Sequence, residues 1–254
     1  MKLRFLYRAW KARWRDQRLE IGAARALIRP GELVIDAGAN KGAYLYWLRR
    51  CAGSSGTVLA YEPQPSLAHY LQQACAEFGW QNVEVHAIAL SDRAGKSTLH
   101  VPGSGVSPGA SLESSALDQM QGSRLECLID TLDHQLREFP PLRFLKVDVE
   151  GHELALFRGA TETLQKDHPA LLFECEARHL TKHSMADVFG FLQNFGYRGY
   201  LLQERSLLPL DRFDPAIHQA RTGERFWDAP TYFNNFLFTT GELPRSLQGL
   251  IAAP

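Results

Sequence analysis

Two stretches of this chain set carboxylates beside glycine turns. In Leu33-Val-Ile-Asp36-Ala-Gly38-Ala-Asn40-Lys-Gly42 an apolar run ends in an acid, then passes through glycines into a helical pattern. A second apolar run, Val58-Leu-Ala-Tyr-Glu62, ends in another acid. Strand, glycine turn, helix, strand, acid is how a βαβ unit holds an adenosine-containing ligand. Glycines admit a close approach, the helix N-terminus carries partial positive charge, and the second acid accepts from ribose hydroxyls. The spacing Gly38-x-x-x-Gly42 is not the Gly-x-Gly-x-x-Gly of a dinucleotide site, and Asp36 is awkward beside a diphosphate. It suits a ligand with a cationic amino group and a sulfonium, which describes S-adenosylmethionine. Asp-x-Gly also occurs in ordinary strand-to-helix turns, and Glu62 in register is what favours the ligand.

The second stretch is Arg143-Phe-Leu-Lys146-Val-Asp148-Val-Glu150-Gly151-His152-Glu153. Alternation along a strand puts Lys146 and Asp148 on one face. A lysine in a central strand is costly to bury unpaired, and Asp36 and Glu174 are its expected partners in a structural ion pair. Asp148 and Glu150 lie at the strand end, where Gly151 permits the turn into a helix opened by His152 and Glu153. Glu153 could equally be a first-turn acid favoured by the helix dipole. Ala89-Leu-Ser91-Asp92 could meet an adenine edge or build a turn, and Asn40 could bind ligand or cap its helix.

The elements that must position these groups alternate along the chain. Strands are expected at Leu33–Ala37, Val58–Glu62, Val83–Ala87, Phe144–Val149, Ala170–Cys175, Tyr197–Leu202 and about Tyr232–Phe238. Helical periodicity covers Lys41–Cys51, Leu67–Phe78, His152–Leu164 and Ser184–Phe195. Such alternation predicts a mostly parallel sheet covered on both faces, with ligands at the strands' C-terminal ends. Asp36, Glu62, Asp148 and Glu174 all fall on that rim. Residues 1–30 read as a basic N-terminal helix, 31–240 as the catalytic domain and 241–254 as a C-terminal tail. The Gly/Pro/Ser-rich segment 102–118 reads as a flexible lid. The runs beside it, Ser97–Val101 and Glu126–Ile129, could pair as a β-insertion. Trp227 and Tyr232 could shape a sugar pocket, but the favoured expectation is that they form the core of the C-terminal packing.

Formal net charge is zero, which gives a polyanion such as nucleic acid little attraction. Cys51, Cys75, Cys127 and Cys175 are scattered without metal-ligand spacing, as in reduced cytosolic proteins. No run of 18 apolar residues predicts a membrane span, and no secretory signal is evident. The first 18 residues differ: Lys2, Arg4, Arg8, Lys11, Arg13, Arg15 and Arg18 are opposed only by Asp16. Leu3, Leu6, Tyr7, Trp10 and Trp14 recur at helical spacing. The favoured expectation is a stripe packed over the end of the sheet, with the arginines solvated. The alternative is peripheral contact with a membrane surface.

Taken together, these motifs resemble the FkbM-type S-adenosylmethionine-dependent methyltransferases. The resemblance rests on Ile35–Gly42, Tyr61-Glu-Pro63, Ala89–Asp92, Ile129–Asp133, Leu145–Glu153, Gly159-Ala160 and Phe173-Glu174, and Asn235–Phe238 looks like the closing strand. It implies a class I methyltransferase (Rossmann-like) α/β fold, with a seven-stranded, mostly parallel sheet and an antiparallel last strand. It also implies O-methylation of sugars, glycans or related natural products. By position, Asp36, Gly38, Asn40 and Gly42 would hold the methionine part of the cofactor, Glu62 the ribose, and Ser91 with Asp92 would lie near the adenine. Asp148, Glu150 and Glu174 would face the acceptor.

In-line attack on the methyl group needs alignment and removal of the hydroxyl proton. Asp148 is the first candidate base, followed by Glu174 or His152. Alternatively Asp148, Glu150 and Glu174 hold a divalent cation that lowers the hydroxyl's pKa. Other classes remain open: another acceptor, such as nucleic acid or protein, or a non-catalytic nucleoside-binding partner. The glycine spacing argues against a nicotinamide enzyme. Asp148-Val-Glu-Gly151 departs from the Asn/Asp-Pro-Pro-Tyr of nucleobase amino methyltransferases.

Overall fold

A computed structural model describes residues 1–103, 105–113, 122–223 and 225–252. Of the expected lid, residue 104 and residues 114–118 lie outside the described residues. The chain opens with α1 (Lys2–Lys11), a π-helical segment (Ala12–Asp16) and α2 (Arg18–Leu27). Gln17 leaves helical geometry at φ −140° and ψ 47°, so the expected single helix is two. Next come β1 (Leu33–Ala37), α3 (Ala43–Ala52), β2 (Thr57–Tyr61), α4 (Pro65–Phe78) and β3 (Val83–His86). A side branch follows: β4 (Ile88–Leu90), β5 (Gly95–Pro102) and β6 (Gly122–Asp130), then α5 (Leu132–Gln135). The chain continues through β7 (Leu142–Val147), α6 (Glu153–Arg158), α7 (Thr161–Asp167), β8 (Ala170–Glu174) and α8 (Met185–Gln193). It ends with β9 (Arg198–Leu202), β10 (Leu207–Pro209), α9 (Pro215–His218), β11 (Asn235–Thr239) and α10 (Arg245–Gln248).

The main sheet has the order β10-β9-β11-β8-β7-β1-β2-β3. β3, β2, β1, β7 and β8 pair in parallel, while β11 runs antiparallel between β8 and β9. This is the mostly parallel α/β sheet of class I methyltransferases, with the antiparallel last strand in place. It has eight strands among the described residues rather than seven, because β10 folds back on β9 as an edge hairpin. The β-insertion forms as expected: β5 and β6 pair antiparallel from Gly95↔Ile129 to Pro102↔Gly122.

Period-two alternation divides the sheet's apolar residues between two cores. Ile35, Leu59, Leu145 and Phe173 face one core with α6 and α8. Val34, Val58, Phe144 and Leu172 face the other with α2 and α3. Helices therefore cover both faces, and the four parallel strand ends carrying the acids share one edge. The expected helix over His152–Leu164 is broken at Gly159, where an added Cβ would lie 1.9 Å from the Ser91 carbonyl oxygen. The backbone N–H of Asp133 donates to the Gly159 carbonyl there (3.0 Å), fixing the break.

The N-terminal stripe does not pack as expected. Helix α1 docks through Phe5, Ala9 and Ala12, all buried. Phe5 meets the rings of Tyr70, Phe78 and Trp80, and the Trp47 indole donates to the Ala9 carbonyl (2.8 Å). Burying Phe5 contributes roughly 2–3 kcal/mol. Leu3, Tyr7, Trp10 and Trp14 stay exposed, because two apolar faces compete for one docking surface and the smaller, more compact face fits it. Trp227 is also exposed and Tyr232 half-buried, so neither belongs to the core. Residues 241–252 lie against the domain through buried Leu243 and Leu247. No described helix is long and apolar enough to cross a membrane, and the four cysteines are free.

Candidate active site

The glycine turn after β1 is built by close backbone approach. Gly38 has φ +81°, and a Cβ there would sit 1.9 Å from the Asp148 carbonyl oxygen, so no larger residue fits. The backbone N–H groups of Gly38 and Ala39 donate to the Tyr61 carbonyl (2.9 and 3.1 Å), and that of Asp148 donates to Ala37 (2.9 Å). Three strand ends are thereby locked together. Gly42, at φ +78°, abuts the Phe5 ring and Leu71 and does not border the cavity described below. Helix α3 begins without a side-chain cap, so Asn40 does not cap it. Instead the Asn40 backbone N–H donates to Glu62 (2.8 Å), whose other oxygen accepts from the Gln64 backbone (2.9 Å). Glu62 is buried, and burial pushes its pKa up against these bonds.

A cavity of about 230 Å³ opens over this turn. Gly38, Asn40 and Glu62 line one part, Ile88 and Leu90 give it an apolar wall, and Asp148, Glu150 and Glu174 border its other end. Pro108, Ala110 and Leu112 of the insertion close it over. A covered slot with an apolar wall and polar groups at its ends is the usual form of a small-molecule site. The cover is tied at three points. The Gln64 side-chain amide accepts from the Ser107 N–H (3.1 Å) and donates to the Ser107 carbonyl (3.0 Å). The Ser111 hydroxyl donates to the Glu150 carbonyl. Glu113 pairs with His152 (2.9 Å) and Lys182 (2.9 Å), and these partners hold its carboxyl down to about 2. His152 also meets the Ser91 hydroxyl (2.9 Å). Ser91 is therefore buried behind the cavity, and Asp92 faces outward on Arg93; neither lines it.

The acids at the rim converge. One oxygen from each of Asp148, Glu150 and Glu174 lies within 4.8 Å of the others, the one such group among the described residues. Oxygen donors in this arrangement are of the type that holds a hard divalent cation. Lys146, 1% exposed, makes its ion pair with Asp148 (3.6 Å) rather than with Asp36 or Glu174. Same-face residues two apart place its ammonium toward its own strand end, where it also donates to the Val147 carbonyl (3.0 Å) and lies 4.8 Å over Tyr44. Asp36 sits beside Lys146 in register across the β1–β7 pair. Burial pushes Asp36 up to about 7, with Lys146 opposing and Asp148 and Glu62 adding; one of its oxygens is buried without a partner.

Glu150 has φ +51° and pairs with His179 (2.8 Å). Burial raises Glu150, and His179 counters it. The Glu174 carboxyl is pushed well above its ordinary value, first by burial and then by Asp148 and Glu150. Its neighbour Glu176 is held to about 2 against burial by Arg178, Tyr232 (2.6 Å) and Asn234 (2.9 Å). Glu153 is buried, accepts from the Gly151 backbone (2.9 Å) and is pushed by burial up to about 7.

A second cavity of about 350 Å³ lies between the N-terminal helices and the rim. Arg8, Lys11 and Gln17 border it on one side, Asp36, Lys146 and Asp148 on the other. Gly38, Asn40, Pro108 and Asp148 belong to both cavities. Sequence reasoning did not single out Gln64, Glu113, Glu176, His179 or Lys182. None belongs to a periodic or glycine-marked motif; only the nearness of Gln64 to Glu62 and of Glu176 to Glu174 signalled them.

The family model for the methyltransferase FkbM domain matches residues 36–198. No curated protein matches the chain. Methyltransferase FkbM from Methylobacillus flagellatus KT is similar in structure at TM-score 0.53 and 16% identity, over 92% of this chain and 53% of that one. A SAM-dependent O-methyltransferase from Thermotoga maritima gives TM-score 0.44 and 16% identity over 89% and 66% of the two chains. A SAM-dependent methyltransferase from Aquifex aeolicus gives 0.46 and 14% over 88% of each. This chain thus spans about half the length of the Methylobacillus protein, and their likeness is one of fold.

Proposed function

The chain belongs to the FkbM methyltransferase family, and from that premise we propose that it moves the methyl group of S-adenosylmethionine to a hydroxyl oxygen on a sugar, glycan or related natural product. The observation that carries this reading is the meeting of two cavities at Asp148. The covered slot takes the nucleoside, with Glu62 on the ribose hydroxyls and Ile88, Leu90 and Leu112 against the base. Asp36, buried with an unpartnered oxygen, suits the cationic amino end. The second cavity, which Asp36 borders, takes that amino end on its Asp36 side and the acceptor beyond it.

The bound sulfonium supplies an already activated methyl group. The chain's task is alignment and proton removal, for which general-base help typically contributes about 10²–10⁴-fold. As the acceptor oxygen forms its new carbon bond and the methyl–sulfur bond breaks, Asp148 takes the hydroxyl proton. Lys146 keeps the Asp148 carboxylate turned to the rim. Glu174 borders the same end of the slot and hydrogen-bonds the acceptor, and burial beside Asp148 and Glu150 disfavours its charged form. A second version follows from the convergence of Asp148, Glu150 and Glu174, in which these oxygens hold a divalent cation that acidifies the hydroxyl.

Calorimetric titration with S-adenosylhomocysteine, beside NAD as control, tests the cofactor. Binding of the first alone is expected, and its absence from folded protein overturns the reading. Transfer of labelled methyl to a panel of sugar hydroxyls then tests the acceptor.

A further inference from the structure

The outward face of α1 has little part in the fold, where Trp10 meets the Trp47 ring edge-on at 5.4 Å, and none in the proposed chemistry. Leu3, Tyr7, Trp10 and Trp14 are 85%, 68%, 45% and 58% exposed. With Met1 they make up half of the exposed large hydrophobic side chains among the described residues. At about 100° per residue, positions 3, 7, 10 and 14 fall within about 60° of one another, opposite the docked positions 5, 9 and 12. The rings of Trp10 and Trp14 stack at 6.2 Å with 11° between planes, so the stripe continues into the π-helical segment. Arg4, Lys11 and Arg15 project along one flank, Lys2 and Arg13 along the other. The guanidinium of Arg13 lies 4.8 Å over the Trp14 ring.

The charge is divided as sharply as the apolar surface. Residues 1–18 hold seven cations and one acid, whereas residues 19–254 hold 21 cations and 27 acids. A negatively charged plane attracts the helix and repels the rest of the molecule, which fixes one orientation. Tryptophan and tyrosine between cationic flanks match the layered polarity of a lipid headgroup region, apolar beneath and anionic above.

We propose that α1 and the turn after it dock this protein on an anionic bilayer surface, with Leu3, Tyr7, Trp10 and Trp14 in the headgroup layer and the flanking cations on lipid phosphates. The same segment borders the second cavity through Arg8, Lys11 and Gln17. Docking therefore sets that cavity beside the bilayer. Liposome binding needs no turnover, so this inference stands or falls apart from the methyl-transfer reading.

The test is co-sedimentation of the full chain with vesicles of phosphatidylcholine alone or with 30–40% (about one lipid in three) phosphatidylserine. Binding to the anionic vesicles, with blue-shifted tryptophan fluorescence, is expected. Each basic side chain near such a surface is worth about fivefold in partitioning, so Arg4→Glu with Arg15→Glu should cost at least about tenfold. Leu3→Glu with Tyr7→Glu, at the two most exposed positions, should abolish binding while the thermal midpoint stays that of wild type. No anionic vesicle binding, equal binding to both vesicles, or unchanged binding by either folded variant overturns the proposal. So does a lipid-free dimer that the Leu3/Tyr7 variant dissociates, since a second copy would then be the occupant.

Discussion

Replacing Asp36 with Asn separates the cost of holding a carboxylate in this fold from its use. Asp36 is buried on β1, and its pKa is pushed from the ordinary 3.8 to about 7, first by burial. A raised acid pKa means that the unfolded chain ionises first. Stability is therefore undiminished below about pH 4 and is lost progressively up to about pH 7. At about 1.4 kcal/mol per pH unit the ceiling on that loss is about 4 kcal/mol. Asn stays neutral and escapes it, but its amide adds a buried donor without an acceptor, costing about 1–3 kcal/mol. The apo variant should thus gain about 1–3 kcal/mol over wild type at pH 8 and, since wild type has lost only about 1 kcal/mol by pH 4.5, fall up to about 2 kcal/mol below it there. At roughly 2–4 °C per kcal/mol, the midpoint difference should change sign between these pH values. Differential scanning fluorimetry from pH 4.5 to 8.5 measures this without ligand. A midpoint difference that stays constant with pH would refute the burial argument. In parallel, the variant should bind S-adenosylmethionine at least tenfold more weakly at pH 8.

Three further outcomes follow from the same geometry. Asp148→Asn should lower labelled-methyl transfer by about 10²–10⁴-fold while S-adenosylhomocysteine affinity, measured by calorimetry, stays within about threefold; wild-type turnover would remove Asp148 from the mechanism. With Asp148 as base, EDTA dialysis should leave the rate unchanged, and a loss restored by Mg²⁺ would favour the cation version. Gln64→Ala removes both ties to Ser107 and leaves that backbone partnerless, at about 1–3 kcal/mol for the closed cover. Faster limited proteolysis within residues 105–113 and at least fivefold weaker S-adenosylhomocysteine binding should result, and unchanged proteolysis would show that Gln64 does not hold the cover.

Legibility of this molecule followed the range of the interactions concerned. The strands around Asp36, Glu62, Asp148 and Glu174 were readable to within about two residues, because alternation and glycine turns are local in sequence. That these acids share a rim followed as well, since consecutive parallel strands must end on the same edge. The break at Gly159 was not readable, because it depends on the Ser91 carbonyl lying 1.9 Å from where a Cβ would be. Nor was it readable that Ser91 and Asp92 both miss the cavity, because His152, paired with Glu113, holds the Ser91 hydroxyl behind it and Asp92 turns outward to Arg93.

By itself the sequence determined the order of elements, the acids that end them and the positions where only glycine fits. The tertiary structure decided which groups meet. Lys146 had three carboxylates within reach of its strand, and the direction of its side chain selected Asp148. Gln64 and Ser107, 43 residues apart, found each other only through the path of the insertion. In α1 two apolar faces shared one helix, and periodicity is indifferent between them. The hole left by Gly42, Tyr70 and Trp80 accepted Phe5 and turned the tryptophans outward.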